Sequence, residues 1–425
     1  MIITTAAPAR LQGELVMPGD KSISHRAALI GSLARGDTEV QGFLAAQDCL
    51  STLSCLRALG VSAVLRGDRL LIRGGGGVFT APRKPLDAGN SGTTARLLLG
   101  VLAAQQFETT LTGDPSLRKR PMDRVVEPLK RMGAQVEGDG TRLPLRIRGG
   151  NLKPLTYTLP VASAQVKSAL LLAGLQASGL TVIEEPFPSR NHTELMFEQF
   201  GVTVAVAGNR ISIEGKQIPV ASQVRVPGDI SAAAFFLVAG AIVPRAVIKI
   251  KDVGINPTRR GIVDLLMEMG ADIQIQNRRF WGKEEVADLL VRGGAPLRAI
   301  TVGGDAIPRV IDEIPILAVA AAHARGVTVI RDAAELRVKE SDRIAALARE
   351  LAKLGAEIEE RPDGLVIEGG RPLTGAVVES GGDHRMAMAL AVAGLAASGK
   401  TTVRGAEAIK ISFPAFLSIL RSLTC

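Results

Sequence analysis

The segment that decides the fold is DKSISHRAALIGSLARGDTEV, residues 20–40. It has a polar start at Asp20, an Ala- and Leu-rich run with helical spacing, a turn at Gly36 and a β-branched end at Val40. Asp is a preferred helix N-cap, and a Gly turn that leads into β-branched residues is typical of a helix followed by a strand. The segment therefore predicts one helix laid against one strand of a sheet.

The same pattern occurs six times in the 425 residues. Its starts are 66 to 83 residues apart, at Asp20, Asn90, Ser163, Asp229, Asp312 and Asp383. Between the copies runs a second recurring piece, a helix that ends at Gly and leads into a strand pair, as in LSTLSCLRALGVSAVLRGDRLLIRG from Leu50. Such a unit buries its apolar face only by stacking on its neighbours. The predicted fold class is therefore α/β, with helices packed against sheets.

The two ends of the chain break the repeat. The last copy lacks its strand pair, whereas the first residues form an extra strand pair without a helix. We expect the N-terminal strands to complete the sixth unit, which predicts one domain of residues 20–227 and another of residues 1–19 with 228–425. The chain would cross twice, at the matching Pro-Gly-Asp sequences Pro18–Asp20 and Pro227–Asp229. Ligands commonly bind between domains, so a hinged cleft is the expected site.

Composition favours a folded protein that binds small anions. Hydrophobic residues make up 46% of the chain and charged residues 22%, close to globular averages, which excludes wholesale disorder. A formal net charge of +9 attracts anionic partners by long-range steering. A basic nucleic-acid-binding protein is a remote alternative, since one Tyr, one Trp and no Lys/Arg tract make a poor surface for stacking bases.

Neither a membrane span nor a targeting segment is expected. No apolar stretch reaches the roughly 18 to 20 residues that span a bilayer, and residues 1–10 lack a basic start followed by an apolar run. The cysteines, Cys49, Cys55 and Cys425, form no CxxC pair, and the four His residues form no HxH or HExxH motif. We therefore expect a cytoplasmic protein without disulfides or bound metal.

Several repeats carry a cation where a helix start should repel it. Lys21, Lys167 and Arg385 stand in the first turn after a polar start, where a cation forfeits roughly 0.3 to 1 kcal/mol. One such cation is most simply a solvated surface residue, but recurrence at matching positions predicts compensation by a bound anion. Arg120, Arg343 and Arg385 come from different repeats, and Arg is suited to bidentate binding of carboxylate or phosphate.

Two carboxylates, Asp312 and Glu340, stand at the start of predicted helical runs beside cations or apolar residues. Both are candidates for general acid or base catalysis. The alternative role is N-capping, which the pattern alone favours for Asp312.

Short motifs along essentially the whole chain resemble those of the enolpyruvyl transferases. They are Gly19–Arg26 (GDKSISHR), Gly89–Thr93 (GNSGT), Arg120–Pro121, Ser163–Gln165 (SAQ), Arg337–Arg343 (RVKESDR) and Gly382–Met386 (GDHRM). Jointly these motifs are highly specific. Ser163–Gln165, Arg190–Glu194 and Asn256–Arg259 resemble a second class of the members that act on shikimate 3-phosphate, which includes forms tolerant of the herbicide glyphosate. Position 92 is Gly, whereas some tolerant forms have Ala there.

The resemblance implies a two-domain fold, an inside-out α/β barrel with three βαβαββ units in each domain. It also implies a reaction in which the 5-hydroxyl of shikimate 3-phosphate adds to C2 of protonated phosphoenolpyruvate, after which the adduct loses phosphate. This step belongs to the shikimate pathway to aromatic amino acids. No cofactor or metal is called for, and we expect a monomer that binds neither nucleic acid nor membrane.

Carried over by position, the resemblance implies two ligand sets. Shikimate 3-phosphate would be held by Lys21, Ser22, Arg26, Ser163, Ala164, Gln165, Ser189, Asp312 and Lys339. Phosphoenolpyruvate would be held by Lys21, Gly92, Arg120, Gln165, Arg343, Arg385 and Lys410. Glu340 and Lys21 would move protons to and from the enolpyruvyl group, and Asp312 would take the hydroxyl proton.

The nearest alternative within the family is a transferase that acts on UDP-N-acetylglucosamine. Its members typically have Lys-Asn where this chain has Lys21-Ser22, and they usually carry a reactive Cys in a loop. None of the three cysteines fits that loop.

Overall fold

A computed structural model describes residues 1–424, so Cys425 lies outside the described residues. The chain forms two units. The N-half unit comprises Gly19–Val226 with Phe280–Glu284, and the C-half unit comprises Met1–Pro18, Pro227–Arg279 and the residues from Glu285 on.

Helices and strands alternate along both units. The strands up to residue 226 are β1 (Ile3–Thr5), β2 (Gln12–Val16), β3 (Arg35–Gln41), β4 (Ser62–Arg66), β5 (Arg69–Gly75), β6 (Leu86–Asp87), β7 (Glu108–Thr112), β8 (Gln135–Gly138), β9 (Leu145–Arg148), β10 (Thr156–Thr158), β11 (Leu180–Glu184), β12 (Val204–Ala207), β13 (Arg210–Glu214) and β14 (Gln223–Arg225). Those that follow are β15 (Val247–Gly254), β16 (Asp272–Trp281), β17 (Glu284–Arg292), β18 (Thr301–Val302), β19 (Gly326–Ile330), β20 (Glu357–Arg361), β21 (Gly364–Gly369), β22 (Val377–Glu379) and β23 (Thr401–Arg404).

The helices up to residue 226 are α1 (Lys21–Leu33), α2 (Gln47–Ala58), α3 (Gly92–Leu102), α4 (Pro115–Arg118), α5 (Asp123–Arg131), α6 (Ala164–Gly174) and α7 (His192–Gln199). Those that follow are α8 (Ile230–Ile242), α9 (Gly261–Glu268), α10 (Ala306–Val310), α11 (Ile314–His323), α12 (Arg343–Lys353), α13 (His384–Ala393) and α14 (Phe416–Leu423). Ala334–Val338 and Ala406–Ile411 form 3₁₀ helices.

One sheet design recurs through both units. The strand orders in the N-half unit are β14-β3-β5-β4, β6-β7-β9-β8 and β10-β11-β13-β12, and those in the C-half unit are β2-β15-β17-β16, β18-β19-β21-β20 and β22-β23-β1. In every one of these orders the first pair is parallel and the second antiparallel. The second sheet reads β6-α3-β7-α5-β8-β9 along the chain, apart from the short α4. The α/β class and the βαβαββ unit predicted from the sequence are confirmed.

The two N-terminal strands lie in different sheets. β1 pairs with β23 of the sixth unit, in the register Ile3↔Val403, but β2 pairs in parallel with β15 of the fourth unit. Conversely β14, which directly precedes α8 of the fourth unit, pairs with β3 of the first. The edge strands are exchanged because the chain passes between the N-half unit and the C-half unit after each of these strands and before the helix that follows it. This corrects the expectation that both N-terminal strands complete the sixth unit.

The central helices begin at the predicted polar residues, with two corrections. The caps that accept a backbone N–H through their side chains include Asp20, Ser163, Asp229 and Asp383. In the second repeat the cap is Ser91 rather than Asn90. In the fifth repeat α10 runs into a turn, so that α11 begins at Ile314 and Glu313 takes the cap position without a side-chain bond. Asp312 is therefore not an N-cap.

Close packing of the central helices brings their first turns together. α8 is buried along all of its length except Ile242, as expected for a helix packed on every side. In the N-half unit α3 packs closely on α6, since a Cβ at Gly100 would lie 2.2 Å from the carbonyl oxygen of Ala169. The first turns of these helices also touch, because Nε2 of Gln165 donates to Oγ1 of Thr93 at 2.9 Å.

Candidate active site

The start of α1 carries Lys21, whose ammonium is paired with a carboxylate from the next helix. Lys21 Nζ lies 3.0 Å from Oδ2 of Asp48, in the first turn of α2, and both side chains are largely buried. The carbonyl of the next residue, Ser22, accepts a hydrogen bond from Nη1 of Arg26 at 2.9 Å. Asp48 escaped sequence reasoning because it lies 27 residues from Lys21 and belongs to no recognised motif.

Arg26 is buried and bonded to two further helices. Its Nε donates to Oγ1 of Thr193 at 2.7 Å, and its Nη2 donates to Oγ of Ser168 at the same distance. A guanidinium has five N–H donors, so these contacts fix its orientation without using all of them.

The start of α3 brings two arginines beside a glycine. A Cβ at Gly92 would lie 2.7 Å from Nη1 of Arg96 and 3.3 Å from Nη1 of Arg120. Nη1 of Arg96 also donates to Oε1 of Gln165 at 2.9 Å, and Nη2 of Arg120 donates to Oδ1 of Asn90 at 3.2 Å. Three residues of the predicted phosphoenolpyruvate set, Gly92, Arg120 and Gln165, are thus gathered around Arg96. Sequence reasoning missed Arg96, although its position one turn after Gly92 was a usable signal.

The start of α6 has the properties of an anion-binding helix end. Ser163 caps the helix by accepting the backbone N–H of Val166 at 3.4 Å. Its hydroxyl can still donate its own proton. Ala164 and Gln165 follow in the first turn, where backbone N–H groups have no partner within the helix.

Ser189 is engaged by a carboxylate of the protein itself. Its hydroxyl donates to Oε1 of Glu185, whose Oε2 lies 2.9 Å from Nζ of Lys167. Glu194 lies 2.7 Å from the same ammonium, and all three charged side chains are buried. Lys167 therefore has compensating negative charge within the protein. Ser189 can donate to another anion only after its hydroxyl turns away from Glu185.

Arg343 is the centre of a second set of residues, in the C-half unit. Its Nε donates to Oδ2 of Asp383 at 2.8 Å and its Nη2 to Oε2 of Glu340 at 2.7 Å, while Oδ1 of Asp312 lies 3.7 Å from Nη1. Burial alone would lower the pKa of Arg343, but the surrounding carboxylates raise it above its ordinary value. Burial alone would raise the pKa of Asp383, but the charge of Arg343 holds it below the usual range. Both groups are therefore charged at neutral pH.

The carboxylates around Arg343 differ in how far their side chains are exposed. The side chain of Asp383 is 0% exposed, whereas those of Asp312 and Glu340 are each 19% exposed. Glu340 is not at a helix start, because Asp342 caps α12 by accepting the backbone N–H of Ala345 at 3.1 Å. Asp312 and Glu340 are therefore the carboxylates of this set that a ligand can reach.

Arg385, in the first turn of α13, is held by the turn before α11. Its Nη1 donates to the carbonyl oxygen of Asp312 at 2.9 Å, and its Nη2 lies 3.9 Å from Oδ2 of the same residue. Its Nη1 is also 3.6 Å from Oε1 of Glu313. The guanidinium is thus oriented by two consecutive residues.

The two remaining predicted lysines differ in their surroundings. Burial lowers the pKa of Lys339, and the negative charges of Asp312 and Glu335 oppose that effect. Lys410 is exposed on the 3₁₀ helix Ala406–Ile411, which packs on α13, and its side chain forms no hydrogen bond or ion pair with the rest of the described chain.

Apart from Lys410, the predicted site residues therefore fall into two clusters. The N-half cluster is Lys21, Ser22, Arg26, Gly92, Arg120, Ser163, Ala164, Gln165 and Ser189; the C-half cluster is Asp312, Lys339, Glu340, Arg343 and Arg385. In both, cations are oriented before any ligand arrives, which is what binding of small anions requires. The C-half cluster adds two accessible carboxylates that can exchange protons.

Neither a metal-ligand group nor a membrane span occurs in residues 1–424. No set of three or more His, Cys, Asp and Glu side chains there could hold a metal ion. No helix in this part of the chain is long and apolar enough to cross a bilayer.

Comparison with known proteins gives full-length matches. A family model of EPSP synthase (3-phosphoshikimate 1-carboxyvinyltransferase) matches residues 5–420. The 3-phosphoshikimate 1-carboxyvinyltransferase of Geobacillus kaustophilus (strain HTA426) is 54% identical over 418 residues, which cover 97% of this chain and 98% of the relative. The protein of that name from Gloeobacter violaceus (strain ATCC 29082 / PCC 7421) is 56% identical over 412 residues, which cover 96% and 95%. The solved structure of EPSP synthase from Acinetobacter baumannii matches with a TM-score of 0.88 and 44% identity, over 99% of this chain and 98% of that one.

Fold and matches together define the class of protein, a carboxyvinyl, or enolpyruvyl, transferase. Within this class the chain belongs to the EPSP synthase (3-phosphoshikimate 1-carboxyvinyltransferase) family. The resemblance read from the sequence motifs is confirmed, and the findings do not support the UDP-N-acetylglucosamine alternative.

Proposed function

We propose that the protein transfers the enolpyruvyl group of phosphoenolpyruvate to the 5-hydroxyl of shikimate 3-phosphate and releases phosphate. Membership of the EPSP synthase family supports the choice of substrates. The observation that carries the proposal is the C-half cluster, where buried Arg343 and Arg385 lie beside the accessible carboxylates Asp312 and Glu340. The reaction needs this combination, because two anions must be held while protons move.

The ligands of shikimate 3-phosphate are proposed to be Lys21, Ser22, Arg26, Ser163, Ala164, Gln165, Ser189, Asp312 and Lys339. The cap hydroxyl of Ser163 and the backbone N–H groups that follow it would donate to the phosphate. Ser189 would join them by turning its hydroxyl from Glu185 to the phosphate. Asp312 would accept the proton of the 5-hydroxyl.

The ligands of phosphoenolpyruvate are proposed to be Lys21, Gly92, Arg120, Gln165, Arg343, Arg385 and Lys410. The arginines offer paired N–H groups that match a carboxylate or phosphate. Gly92 leaves room beside Arg120 that a larger side chain would fill. The side chain of Lys410 has no hydrogen bond or ion pair to another described residue that it would have to give up on binding.

The chemistry proceeds by addition and then elimination. Glu340 or Lys21 gives a proton to C3 of phosphoenolpyruvate, which leaves C2 electron-poor. The 5-hydroxyl oxygen bonds to C2 while its proton passes to Asp312. The adduct then breaks the bond from C2 to the phosphate oxygen, and phosphate leaves with the electron pair. The group that protonated C3 takes a proton back from it, which restores the double bond.

We further propose that the protein acts as a cytoplasmic monomer on these two small molecules, without nucleic acid or membrane as a partner. The support is that both substrates are small phosphorylated acids, and that the +9 formal charge suits them. Size-exclusion chromatography with light scattering measures the oligomeric state directly.

A phosphate-release assay tests the proposed function. The protein is supplied with phosphoenolpyruvate together with shikimate 3-phosphate, with UDP-N-acetylglucosamine, or with no acceptor. Phosphate is expected only with shikimate 3-phosphate. Release with UDP-N-acetylglucosamine would move the protein to the alternative transferase, and release without an acceptor would indicate simple hydrolysis.

A further inference from the structure

A buried carboxylate that belongs to neither proposed ligand set lies against Arg385. Glu313 is 1% exposed, and its Oε1 lies 3.6 Å from Nη1 of Arg385. Its Oε2 is buried and accepts no hydrogen bond from any residue that the structure describes. A buried carboxylate with one bare oxygen is costly, so it is retained only where nearby positive charge offsets the cost.

Glu313 is fixed from the other side by a chain of buried polar groups. The hydroxyl of Ser231, in the first turn of α8, donates to Oε1 of Glu313. Nη2 of Arg259 donates to Oγ of Ser231 at 2.9 Å and lies 3.2 Å from Oδ1 of Asp229. Asp229 is itself the cap of α8. Glu313 is therefore anchored to the start of a central helix rather than to a mobile surface group.

The charges along this chain alternate. Asp229 is followed by Arg259, then, through Ser231, by Glu313 and finally by Arg385. All five residues are less than 10% exposed. The charge of Glu313 thus balances Arg385 in a region where solvent screens little.

We propose that Glu313 is a positioning residue, which holds the guanidinium of Arg385 in the orientation that binds phosphoenolpyruvate. The inference rests on the proposed function, in which Arg385 is a ligand of that substrate. Arg385 has a second carboxylate within reach, since Oδ2 of Asp312 lies 3.9 Å from its Nη2. Without the charge of Glu313, Arg385 moves toward Asp312, and the closer ion pair withdraws it from phosphoenolpyruvate.

The test is Glu313→Gln in the full chain, which keeps the shape and an oxygen for Ser231 but removes the charge. We expect the KM for phosphoenolpyruvate to rise at least tenfold. The Kd of shikimate 3-phosphate alone, measured by calorimetry, should change less than threefold, because seven of its nine proposed ligands lie in the N-half cluster and are untouched. A purely structural role would not produce this split between the two substrates.

Glu350→Gln is the matched control. Glu350 is also buried in the C-half unit, but it pairs with Arg349 and Lys353, outside the C-half cluster. It should lower the Tm and leave the KM for phosphoenolpyruvate unchanged. If Glu313→Gln also lowers only the Tm, or leaves the KM within twofold, the inference is wrong.

Ser231→Ala provides a second test in case the Glu313→Gln variant does not fold. It removes only the hydroxyl that orients Glu313, and a KM increase of about threefold or more is expected. An unchanged KM overturns the inference. Failure of the proposed function looks different, because the unmodified protein would then release no phosphate from the two substrates.

Discussion

Glu340 and Asp383 both bind Arg343, but only Glu340 has access to a ligand, with 19% of its side chain exposed against 0% for Asp383. A group that gives a proton to substrate needs that access, whereas a group that only orients a cation does not. Arg343 also fixes Glu340 at 2.7 Å, so its position is set before substrate binds.

Glu340→Gln should therefore reduce turnover at least 100-fold, within the range of about 10²- to 10⁴-fold usual for a general acid or base. Both KM values should change less than threefold, because the amide oxygen can still accept from Arg343. Steady-state kinetics with each substrate varied in turn gives these numbers. Glu360→Gln, at an exposed glutamate that pairs with Arg337, is the control. Turnover within tenfold of the unmodified protein would remove Glu340 from the proton-transfer steps.

His25 links protonation to stability. It is fully buried on α1, with Nδ1 2.7 Å from Oγ1 of Thr52, and burial lowers its pKa to about 3 from an ordinary 6.5. Between these values the unfolded chain binds a proton at this residue and the folded chain does not. His25 therefore does not lower the free energy of unfolding above pH 6.5, and it lowers that free energy progressively as the pH falls toward 3.

The expected contribution of His25 between pH 7 and pH 5 is a loss of about 2 kcal/mol in the free energy of unfolding. Urea unfolding at the two pH values measures it, with His25→Gln as the comparison because other groups also titrate. The variant should lose less stability over this interval than the unmodified protein. Equal losses would mean that His25 becomes protonated in the folded state.

Local pattern predicted the cations of the site but missed two of the carboxylates that pair with them. Lys21, Arg343 and Arg385 stand in motifs with a recognisable spacing from a helix start. Glu340 and Asp383, the partners of Arg343, stand in motifs too, but Asp48 and Glu313, which pair with Lys21 and Arg385, reach the site only through packing of one helix on another. The expected compensation by a bound anion was thus incomplete, because part of it comes from carboxylates that are remote in sequence.

Helix starts were predicted well where a single capping side chain decides them. Asp20 and Asp383 were found because their cap geometry is local. The start predicted at Asp312 was wrong, because α10 ends two residues earlier and the intervening turn moves the start of α11. Such a turn depends on what the preceding segment does, which the capping pattern does not encode.

The contact between α3 and α6 depends on the absence of a side chain at Gly100. Gly100→Ala should destabilise the protein by about 2 to 3 kcal/mol, because the added Cβ meets a backbone oxygen that cannot move aside. Gly150→Ala is the control, since a Cβ there has no atom within 4 Å, and it should change stability by less than about 0.5 kcal/mol. Chemical denaturation compares the two. Equal stabilities would mean that the helices are not packed this closely.

The exchange of β2 and β14 could not be predicted from either strand alone. Each directly precedes a central helix, as the edge strand does in the other repeats, yet each pairs in the unit that does not contain that helix. The sequence showed that the repeats were incomplete at both ends, which sufficed to predict the fold class. The partner of each edge strand is remote in sequence, β15 for β2 and β3 for β14, so the pairing is a property of the folded chain.

The N-terminal strand β1 should stabilise the sheet that it forms with β23, a strand near the other end of the chain. Ile3 is buried opposite Val403, whereas Thr4 is exposed on the other face of β1. Ile3→Asp should cost at least about 2 kcal/mol by burying an unpaired charge, and Thr4→Asp should cost less than about 0.5 kcal/mol. Thermal unfolding of the two variants checks this. If Ile3→Asp is as stable as Thr4→Asp, β1 does not pair in this register.

The most direct test of the proposed reaction follows an oxygen atom. The substrate is phosphoenolpyruvate labelled with ¹⁸O at the oxygen that joins C2 to phosphorus. It is incubated with the protein and shikimate 3-phosphate, and the masses of the products are measured by mass spectrometry. Addition and elimination at C2 predict that the label leaves with phosphate. Label retained in the organic product would show that the phosphorus–oxygen bond breaks instead, which would contradict enolpyruvyl transfer.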